Sequence, residues 1–355
     1  SDNQKLEANT SDAEAGSSST YLYPKPNGFH INTNYFGGGP YIYMAIRRGP
    51  LAEPTSATDV FAMVASDGSS YDPTFVSGFP IDMGLYKRRT GTPSWRISSR
   101  LTQGEYMETN STVAQQANQY HAYDFQNGYF SFPLNSDHQA WMWKRAPSYF
   151  DVVAYTGNGT AGTSINHNLG VVPEMIWLRG RNAVSNWFVY HKDLNGGTNP
   201  EDYHLRINTS GAENNATTSL NDTAPTASSF STGTALSTSG NTYIAYLFAT
   251  VAGVSKVGSY TGSSSGVVTV DCGFTSGARF VLIKRTDASG DWYVYDSVRG
   301  INSSADDPYL LLNTTDAEST NTNNIEPHSS GFQLTQQGAN PISINGGSYI
   351  FYAIA

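Results

Sequence analysis

Three apolar runs stand in the last third of the chain: Phe280-Val-Leu-Ile-Lys-Arg, Asp291-Trp-Tyr-Val-Tyr and Gly347-Ser-Tyr-Ile-Phe-Tyr-Ala-Ile-Ala. The middle third carries the same runs in the same order, as Met175-Ile-Trp-Leu-Arg-Gly, Asn186-Trp-Phe-Val-Tyr and Asn241-Thr-Tyr-Ile-Ala-Tyr-Leu-Phe-Ala. Self-similarity at a fixed, long spacing is the sign of tandem structural units. This repetition decides the fold.

A third copy and a half copy lie upstream. The third copy is more diverged and reads Leu85-Tyr-Lys-Arg-Arg, Ser94-Trp-Arg-Ile and His138-Gln-Ala-Trp-Met-Trp-Lys-Arg-Ala. The half copy reads Leu6-Glu-Ala-Asn-Thr-Ser-Asp-Ala-Glu, Asn27-Gly-Phe-His-Ile and Gly39-Pro-Tyr-Ile-Tyr-Met-Ala-Ile. The sequence therefore predicts a partial repeat over 1–50 and three repeats over 51–147, 148–251 and 252–355. Because residue 1 falls inside a repeat, we expect a further N-terminal part.

Each repeat has about 100 residues and consists of short runs rich in Val, Ile, Tyr, Phe, Trp and Thr. Clusters of Gly, Asn, Asp and Ser separate these runs. Short strands at such regular spacing are typical of all-β sandwiches or small barrels. We therefore predict an all-β chain of tandem β-sandwich repeats, preceded by a half repeat. With minimal linkers and a core in each repeat, the expected outline is a rod.

Composition excludes several classes of protein. The 355 residues carry 20 Lys+Arg against 29 Asp+Glu, and this acidic balance does not favour binding to nucleic acid. Cys272 is the only cysteine, so an intrachain disulfide and a cysteine-based zinc site are excluded. No apolar stretch approaches the about 20 residues that a membrane-spanning helix needs. We find no catalytic motif, no metal-ligand spacing among the seven histidines and no cofactor fingerprint.

Side chains shared by all repeats are best explained by the fold that the repeats share. Trp95, Trp187 and Trp292 occur once in each repeat and are predicted to be core pillars. Side chains that break the pattern are better candidates for ligand contact, because Tyr and Trp are enriched at binding surfaces. The candidate binding residues are Tyr120, His121, Tyr123, Trp141, Trp143 and Trp177. Altered packing is the competing explanation for each of them.

Two acidic clusters, Asp193 with Glu201-Asp202 and Asp306-Asp307, occupy corresponding loops of the last two repeats. Neither follows the spacing of a known calcium loop, so we interpret them as solvated loop acids and predict no metal site. A pair of carboxylates suited to glycoside hydrolysis imposes no sequence spacing and stays open as an alternative.

Some of the repeat motifs resemble a known family. Tyr155-Thr-Gly-Asn-Gly-Thr-Ala-Gly, His167-Asn-Leu-Gly-Val-Val-Pro-Glu-Met-Ile and Trp187-Phe-Val-Tyr-His-Lys resemble a repeated β domain of tail-fibre-like virion proteins of marine, cyanophage-like bacteriophages. The resemblance covers about 150–355 well and implies a structural or adhesive role without catalytic residues.

The resemblance suggests a non-enzymatic virion protein, a tail fibre or related appendage, that attaches to a host surface through multivalent contacts. The expected partners are other virion proteins, further copies of the chain in a homo-oligomer such as a trimer, and a bacterial surface glycan or protein receptor. Neither nucleic-acid binding nor membrane insertion is expected. The alternatives are a microbial extracellular fibre or adhesin, located outside the cell or at its surface, and a polysaccharide depolymerase.

Overall fold

The computed structural model describes the chain in segments. These segments are residue 11 and residues 22–25, 28–31, 40–44, 51–66, 73–102, 104–117, 121, 123, 127–129, 131, 137–303, 306–320, 322–335 and 340–355. The described residues contain β-strands and four short 3-10 helices, but no α-helix. The 3-10 helices are Ala57–Asp59, Leu194–Gly197, Pro200–Asp202 and Thr234–Leu236.

The strands fall into three groups, which we call units A, B and C, after a first hairpin. The hairpin strands are β1 (Leu22–Lys25) and β2 (Gly28–Ile31). Unit A contains β3 (Phe61–Ala65), β4 (Met83–Arg88), β5 (Arg96–Ser99), β6 (Glu105–Tyr106), β7 (Gln116–Ala117) and β8 (His138–Trp143). Unit B contains β9 (Phe150–Thr156), β10 (Thr163–Asn166), β11 (Met175–Gly180), β12 (Phe188–His191), β13 (Tyr203–Arg206), β14 (Asn214–Asn215), β15 (Ser229–Thr232) and β16 (Thr242–Phe248). Unit C contains β17 (Ser255–Thr261), β18 (Val268–Asp271), β19 (Phe280–Arg285), β20 (Trp292–Asp296), β21 (Leu310–Leu311), β22 (Ile325–His328), β23 (Gly331–Leu334) and β24 (Ser348–Ile354).

The main sheets of the three units share one antiparallel order. The orders are β3-β8-β4-β5 in unit A, β9-β16-β11-β12-β13-β14 in unit B and β17-β24-β19-β20-β21 in unit C. In each unit the last strand therefore lies inside the sheet, next to the first strand. β8 lies between β3 and β4, β16 between β9 and β11, and β24 between β17 and β19. Smaller sheets, β10-β15 and β18-β23-β22, lie opposite the main sheets of units B and C. The prediction of an all-β chain of repeated sandwich-like units is confirmed.

One face of each main sheet packs inside its own unit. In unit C this face contributes Val281, Ile283, Phe351 and Ala353 to a core completed by Phe332 of the smaller sheet. Units B and A have corresponding cores of their own. Alternate residues along a strand point to opposite faces, so this packing accounts for half of the apolar side chains of each strand.

The other faces of the three main sheets meet in one shared core. Its members include Trp95, Trp141 and Trp143 from unit A, Trp177, Trp187 and Phe248 from unit B, and Phe280, Trp292 and Tyr352 from unit C. The centroids of the Trp143 and Phe280 rings are 5.7 Å apart, and those of Phe248 and Tyr352 are 5.1 Å apart. Every unit thus contacts both others.

The expectation of a rod is wrong, because the units form a closed ring around the shared core. In units B and C a smaller sheet covers only one face of the main sheet, and in all three units the second apolar face is buried against neighbouring units. The connections are short: the turns between units carry the equivalent isolated bridges Ala146↔Phe150 and Val251↔Ser255. The contact between units A and C closes the ring without a covalent link.

The partial repeat predicted over 1–50 lies mostly outside the described residues. Within it, the structure describes the hairpin β1–β2, residue 11 and residues 40–44.

Candidate functional site

The ring has three junctions, where units A and B, B and C, and C and A meet. Each junction contains a buried basic side chain that bonds to the neighbouring unit. The last residue but one of strands β4, β11 and β19 is basic in every case. These residues are Lys87, Arg179 and Lys284, and each is fully buried. Lys87 Nζ donates to Thr315 O in unit C at 2.9 Å, and Lys284 Nζ donates to Ser210 O in unit B at 3.2 Å. Burial lowers the pKa of each lysine to about 8.

Arg179 makes the corresponding contacts from unit B to unit A. Its Nη1 donates to the carbonyl oxygens of Glu108 at 2.6 Å and Ser111 at 2.7 Å, and its Nη2 donates to that of Val113. The guanidinium lies 5.1 Å from the centroid of the Trp187 ring. Desolvation lowers the pKa of this guanidinium to about 10, while the nearby Glu108 carboxylate and the hydrogen-bonded carbonyl oxygens favour its charged form.

The three predicted core pillars also act across the junctions. Trp95 Nε1 donates to Leu311 O at 2.8 Å, Trp187 Nε1 to Glu108 O at 2.8 Å, and Trp292 Nε1 to Arg206 O at 2.9 Å. Unit A thus donates to C, C to B, and B to A. The same contact thus occurs three times, always from one unit to the next, and the third contact returns to the first unit. Such a closed head-to-tail arrangement relates the units by an approximate threefold rotation.

An asparagine fixes each of these tryptophans within its own unit. The Oδ1 atoms of Asn110, Asn208 and Asn313 accept the backbone N–H of Trp95, Trp187 and Trp292, each at 2.9 Å. In unit C, Asn313 Nδ2 also donates to Asp291 Oδ1 at 2.7 Å. These asparagines recur about 100 residues apart in the sequence, and the structure gives this spacing a structural reason.

Replacing Asn313 by alanine is expected to lower the free energy of unfolding by about 2 kcal/mol, because the buried Trp292 N–H loses its acceptor. Urea denaturation followed by tryptophan fluorescence measures the change. Thr320, which is exposed and lies outside the strands, provides a matched Thr320→Ala control. Equal stability of both variants would contradict the anchoring role.

The candidate binding residue Trp141 is buried at the junction between units A and C. Its Nε1 donates to Asp296 Oδ2 at 3.0 Å. The same carboxylate contacts Arg299 Nε at 2.6 Å, and both side chains of this ion pair are almost fully buried. Trp141 thus completes a buried charge network and offers no surface to a ligand.

Trp143 and Trp177 are also buried, with exposed fractions of 1% and 2%. Trp143 packs on Phe61 and Phe280, and Trp177 packs on Phe248 with ring centroids 5.2 Å apart. Both lie in the shared core, so altered packing explains their departure from the repeat pattern.

His121 and Tyr123 fill a space that is specific to unit A. Gly84 stands where units B and C carry Ile176 and Val281, and a Cβ at Gly84 would lie 2.8 Å from the Tyr129 ring. The Tyr123 ring stacks on Tyr129, and its hydroxyl contacts Ser98 Oγ at 2.7 Å. His121 and Tyr123 are buried, and Tyr120 lies outside the described residues. Burial therefore does not support ligand contact by the five described candidates.

Among the side chains that the structure describes, four histidines are buried, and burial lowers the pKa of each. The pKa of His121 and of His191 falls to about 3, that of His204 to about 4, and that of His167 falls as well. His191 Nε2 lies 3.4 Å from Phe351 O across the junction between units B and C. Asp307 is fully buried rather than solvated as predicted, and its desolvation raises its pKa to about 6.

These pKa shifts make the fold sensitive to acid. Histidines with lowered pKa bind protons in the unfolded chain first, so their stabilisation is present above about pH 6.5 and is lost as the pH falls toward 4. Asp307 has the opposite effect on stability. Because its pKa is raised to about 6, the folded chain binds one proton below about pH 6 that the unfolded chain does not yet bind. The three histidines whose pKa falls to about 4 or below, His121, His191 and His204, against this one carboxyl give a difference of about two protons between the unfolded and the folded chain. We therefore expect a net loss of about 3 kcal/mol per pH unit. Urea titrations between pH 7 and 4 measure it, and His191→Gln is expected to reduce the slope by about one proton.

A shallow cleft of about 500 Å³ lies where the start of unit A meets the turn that follows β8. Its charged lining residues are Glu53, Asp59, Lys144 and Arg145. Arg145 also lies 3.5 Å from Asp82 and 3.6 Å from Asp151, so its charge is already balanced by structural partners. In the described part of the chain, no group of three or more His, Cys, Asp and Glu residues could hold a metal ion. No helix among those residues is long and apolar enough to cross a membrane.

Three pairs of loops, which we call the corner loops, meet at the junctions. They are 181–186 with 111–115, 286–291 with 209–213, and 89–94 with 314–318. Equivalent backbone bonds join the pairs: Gln115 N to Arg181 O, Glu213 N to Thr286 O, and Glu318 N to Arg89 O. Because a rotation relates the three pairs, all lie at the same end of the ring.

The corner loops share their backbone contacts but differ in their exposed side chains. The first pair exposes Val184 and Val113, with exposed fractions of 79% and 49%. The second pair exposes Ser289 and Gly211, and the third exposes Thr92 and Asp316. Neither the threefold relation nor this clustering was predicted from the sequence. The one signal that could have indicated this surface is Val184, an apolar residue in a polar loop.

Residues 141–355 match a protein family described as a domain of unknown function, DUF7483. The match begins in β8 of unit A and covers units B and C. No curated protein matches the chain.

Proposed function

The chain belongs to the DUF7483 family, and from this premise we propose that it is a non-enzymatic structural protein of a virion appendage. In this proposal it is a component of the tail-fibre kind that contacts a host surface at several points. The observation that carries the proposal is the division of labour between side chains. Side chains shared by the units join the ring, while the exposed side chains of the corner loops differ from one pair of loops to the next.

The chemistry of the described residues favours a scaffold over an enzyme. Several buried ionisable groups are engaged in structural contacts: Arg179 bonds to backbone carbonyls of unit A, Asp296 pairs with Arg299, and Lys284 donates to Ser210 O of unit B. Catalytic acids and bases are instead found in clefts that a substrate can reach.

The ring supports contact at three related points. Three modest contacts on one rigid body reinforce one another, because the second and third contacts form at high effective concentration and can raise avidity by about 10²-fold or more. The three pairs of corner loops differ in character, so the contacts would be heterogeneous. A glycan or protein receptor on a bacterial surface is the proposed partner.

The proposal is tested with the purified, fluorescently labelled chain on a panel of bacterial cells. We expect binding to some strains, and a drop of about 10-fold for the double variant Val113→Asp, Val184→Asp. The matched control is Val172→Asp, because Val172 is also exposed but precedes β11, whereas corner loop 181–186 follows the opposite end of that strand.

Two results would overturn the proposal. An equal loss of binding in the Val172→Asp control would show that the corner loops are not the contact surface. Release of reducing ends from bacterial polysaccharide by the chain alone would show that it is a depolymerase.

A further inference from the structure

One buried position of the main sheets carries a different polar residue in each unit. It is the position paired with the first residue of β4, β11 and β19, and it holds Ser99 in unit A, His191 in unit B and Asp296 in unit C. All three side chains are fully buried. Each faces a neighbouring unit: Ser99 faces unit B, His191 faces unit C and Asp296 faces unit A.

His191 and Asp296 have the same role within their own units. His191 Nδ1 accepts the backbone N–H of Asp193 at 3.1 Å, and Asp296 Oδ1 accepts that of Val298 at 3.0 Å. Each acceptor thus bonds to the N–H two residues further on, in the turn that follows its strand. This local role does not distinguish a histidine from a carboxylate, so the difference has its cause across the junction.

Across the junctions these two side chains have opposite hydrogen-bond character. Because His191 Nδ1 is an acceptor, the proton of the neutral imidazole lies on Nε2, which is 3.4 Å from Phe351 O of unit C. Asp296 Oδ2 instead accepts the indole N–H of Trp141 from unit A at 3.0 Å. The junction between units B and C therefore needs a donor at this position, and the junction between units A and C needs an acceptor.

We propose that Trp141 and Asp296 determine which unit closes the ring, by making unit A accept unit C and reject unit B. If unit B occupied the place of unit C, Trp141 Nε1–H would face His191 Nε2–H. Two buried donors would then have no acceptor, which is costly. Arg299 adds to the selection, since its Nε lies 2.6 Å from Asp296 Oδ2 and its guanidinium lies 5.3 Å from the centroid of the Trp141 ring.

The ring needs such a selection because the other junction contacts do not tell the units apart. The indole–carbonyl bonds of Trp95, Trp187 and Trp292 are equivalent at all three junctions. Equivalent contacts stabilise a correct and an incorrect neighbour alike, and specificity then requires a feature that disfavours the incorrect one. No covalent link guides unit A to unit C, so the selecting side chains lie at that junction. This inference does not depend on the proposed function.

The test is amide exchange of the full chain, because an equivalent backbone bond reports on each junction. Glu318 N reports on the junction between units A and C, Gln115 N on that between A and B, and Glu213 N on that between B and C. Asp296→His places the histidine of unit B opposite Trp141. We expect exchange at Glu318 N to accelerate by roughly 10- to 100-fold, while the other two reporters change by less than about twofold.

Trp141→Tyr is the matched second change, because units B and C carry Tyr246 and Tyr352 at this position. The double variant Trp141→Tyr, Asp296→His copies the junction between units B and C, in which the histidine faces a carbonyl oxygen rather than an indole N–H. We expect Trp141→Tyr to accelerate exchange at Glu318 N in the original chain and to slow it in the Asp296→His variant. Independent packing losses would add and cannot produce this reversal.

Four outcomes would overturn the proposal. Unchanged exchange at Glu318 N in Asp296→His would show that Asp296 does not hold this junction. Equal acceleration at all three reporters would show that it supports general stability only. Faster exchange in the double variant than in Asp296→His would show that Trp141 only fills space. If Asp296→His does not fold, a folded double variant supports the proposal, and a double variant that also fails to fold overturns it.

Discussion

Replacement of Arg179 by methionine is expected to lower the free energy of unfolding by about 3 kcal/mol, and replacement by lysine by only about 1 kcal/mol. Methionine fills most of the space but cannot donate hydrogen bonds. It would leave the carbonyl oxygens of Glu108, Ser111 and Val113 without their donor at the junction between units B and A. The variant no longer has to bury a charged guanidinium, which offsets part of this loss. The expected decrease in the free energy of unfolding is therefore smaller than the sum of three charged hydrogen bonds.

The repeats themselves justify the lysine control. Lys87 and Lys284 occupy the equivalent position, and each reaches a carbonyl oxygen two residues after the anchoring asparagine of the neighbouring unit, Thr315 O and Ser210 O. A lysine at position 179 has an equivalent acceptor in Thr112 O. Guanidinium chloride denaturation of the three proteins gives the two differences. If the methionine variant proved as stable as the lysine variant, the buried charge would not be joining the units.

The sequence predicted the repeat, the strand class and the positions of the shared tryptophans, because these follow from local pattern. Runs such as Trp292-Tyr-Val-Tyr are apolar on both faces, which indicates that both faces are covered. The pattern does not say what covers the second face. A rod and a ring place the same residues in the same strands, and only the contact between units A and C distinguishes them.

One sequence signal could have indicated the ring. A basic residue recurs in an otherwise apolar strand in all three copies, as Lys87, Arg179 and Lys284. A buried cation needs oxygen partners, and none lies on its own apolar strand, so the repeated cation points to an adjoining backbone. The burial of the candidate binding residues could not be predicted for a related reason. Trp141 departs from the repeat pattern together with its partner Asp296 in unit C, and such a relation between distant positions is invisible in one sequence.

Removal of residues 252–355 is expected to abolish the cooperative unfolding transition of the remaining chain. The deletion uncovers the second face of the main sheets of units A and B, since Phe61 and Trp143 both pack on Phe280, and Phe248 packs on Tyr352. It also removes the acceptor of the Trp95 indole, Leu311 O. The loss of apolar burial at about 25 cal/mol per Å² exceeds the roughly 5–15 kcal/mol by which domains are stable.

The measurement is urea denaturation of residues 1–251 followed by tryptophan fluorescence, together with binding of a dye that reports exposed apolar surface. In a rod of independent sandwiches, unit B would keep its transition midpoint after the deletion. In a ring, the transition broadens or disappears and dye binding rises. Deletion of residues 1–50 is the matched control, because every junction contact described above lies in residues 51–355, and its transition is expected to stay single and unshifted. A sharp transition of residues 1–251 at the midpoint of the full chain would show that the shared core contributes little, since the free energy of unit B would then not depend on the surface that unit C covers.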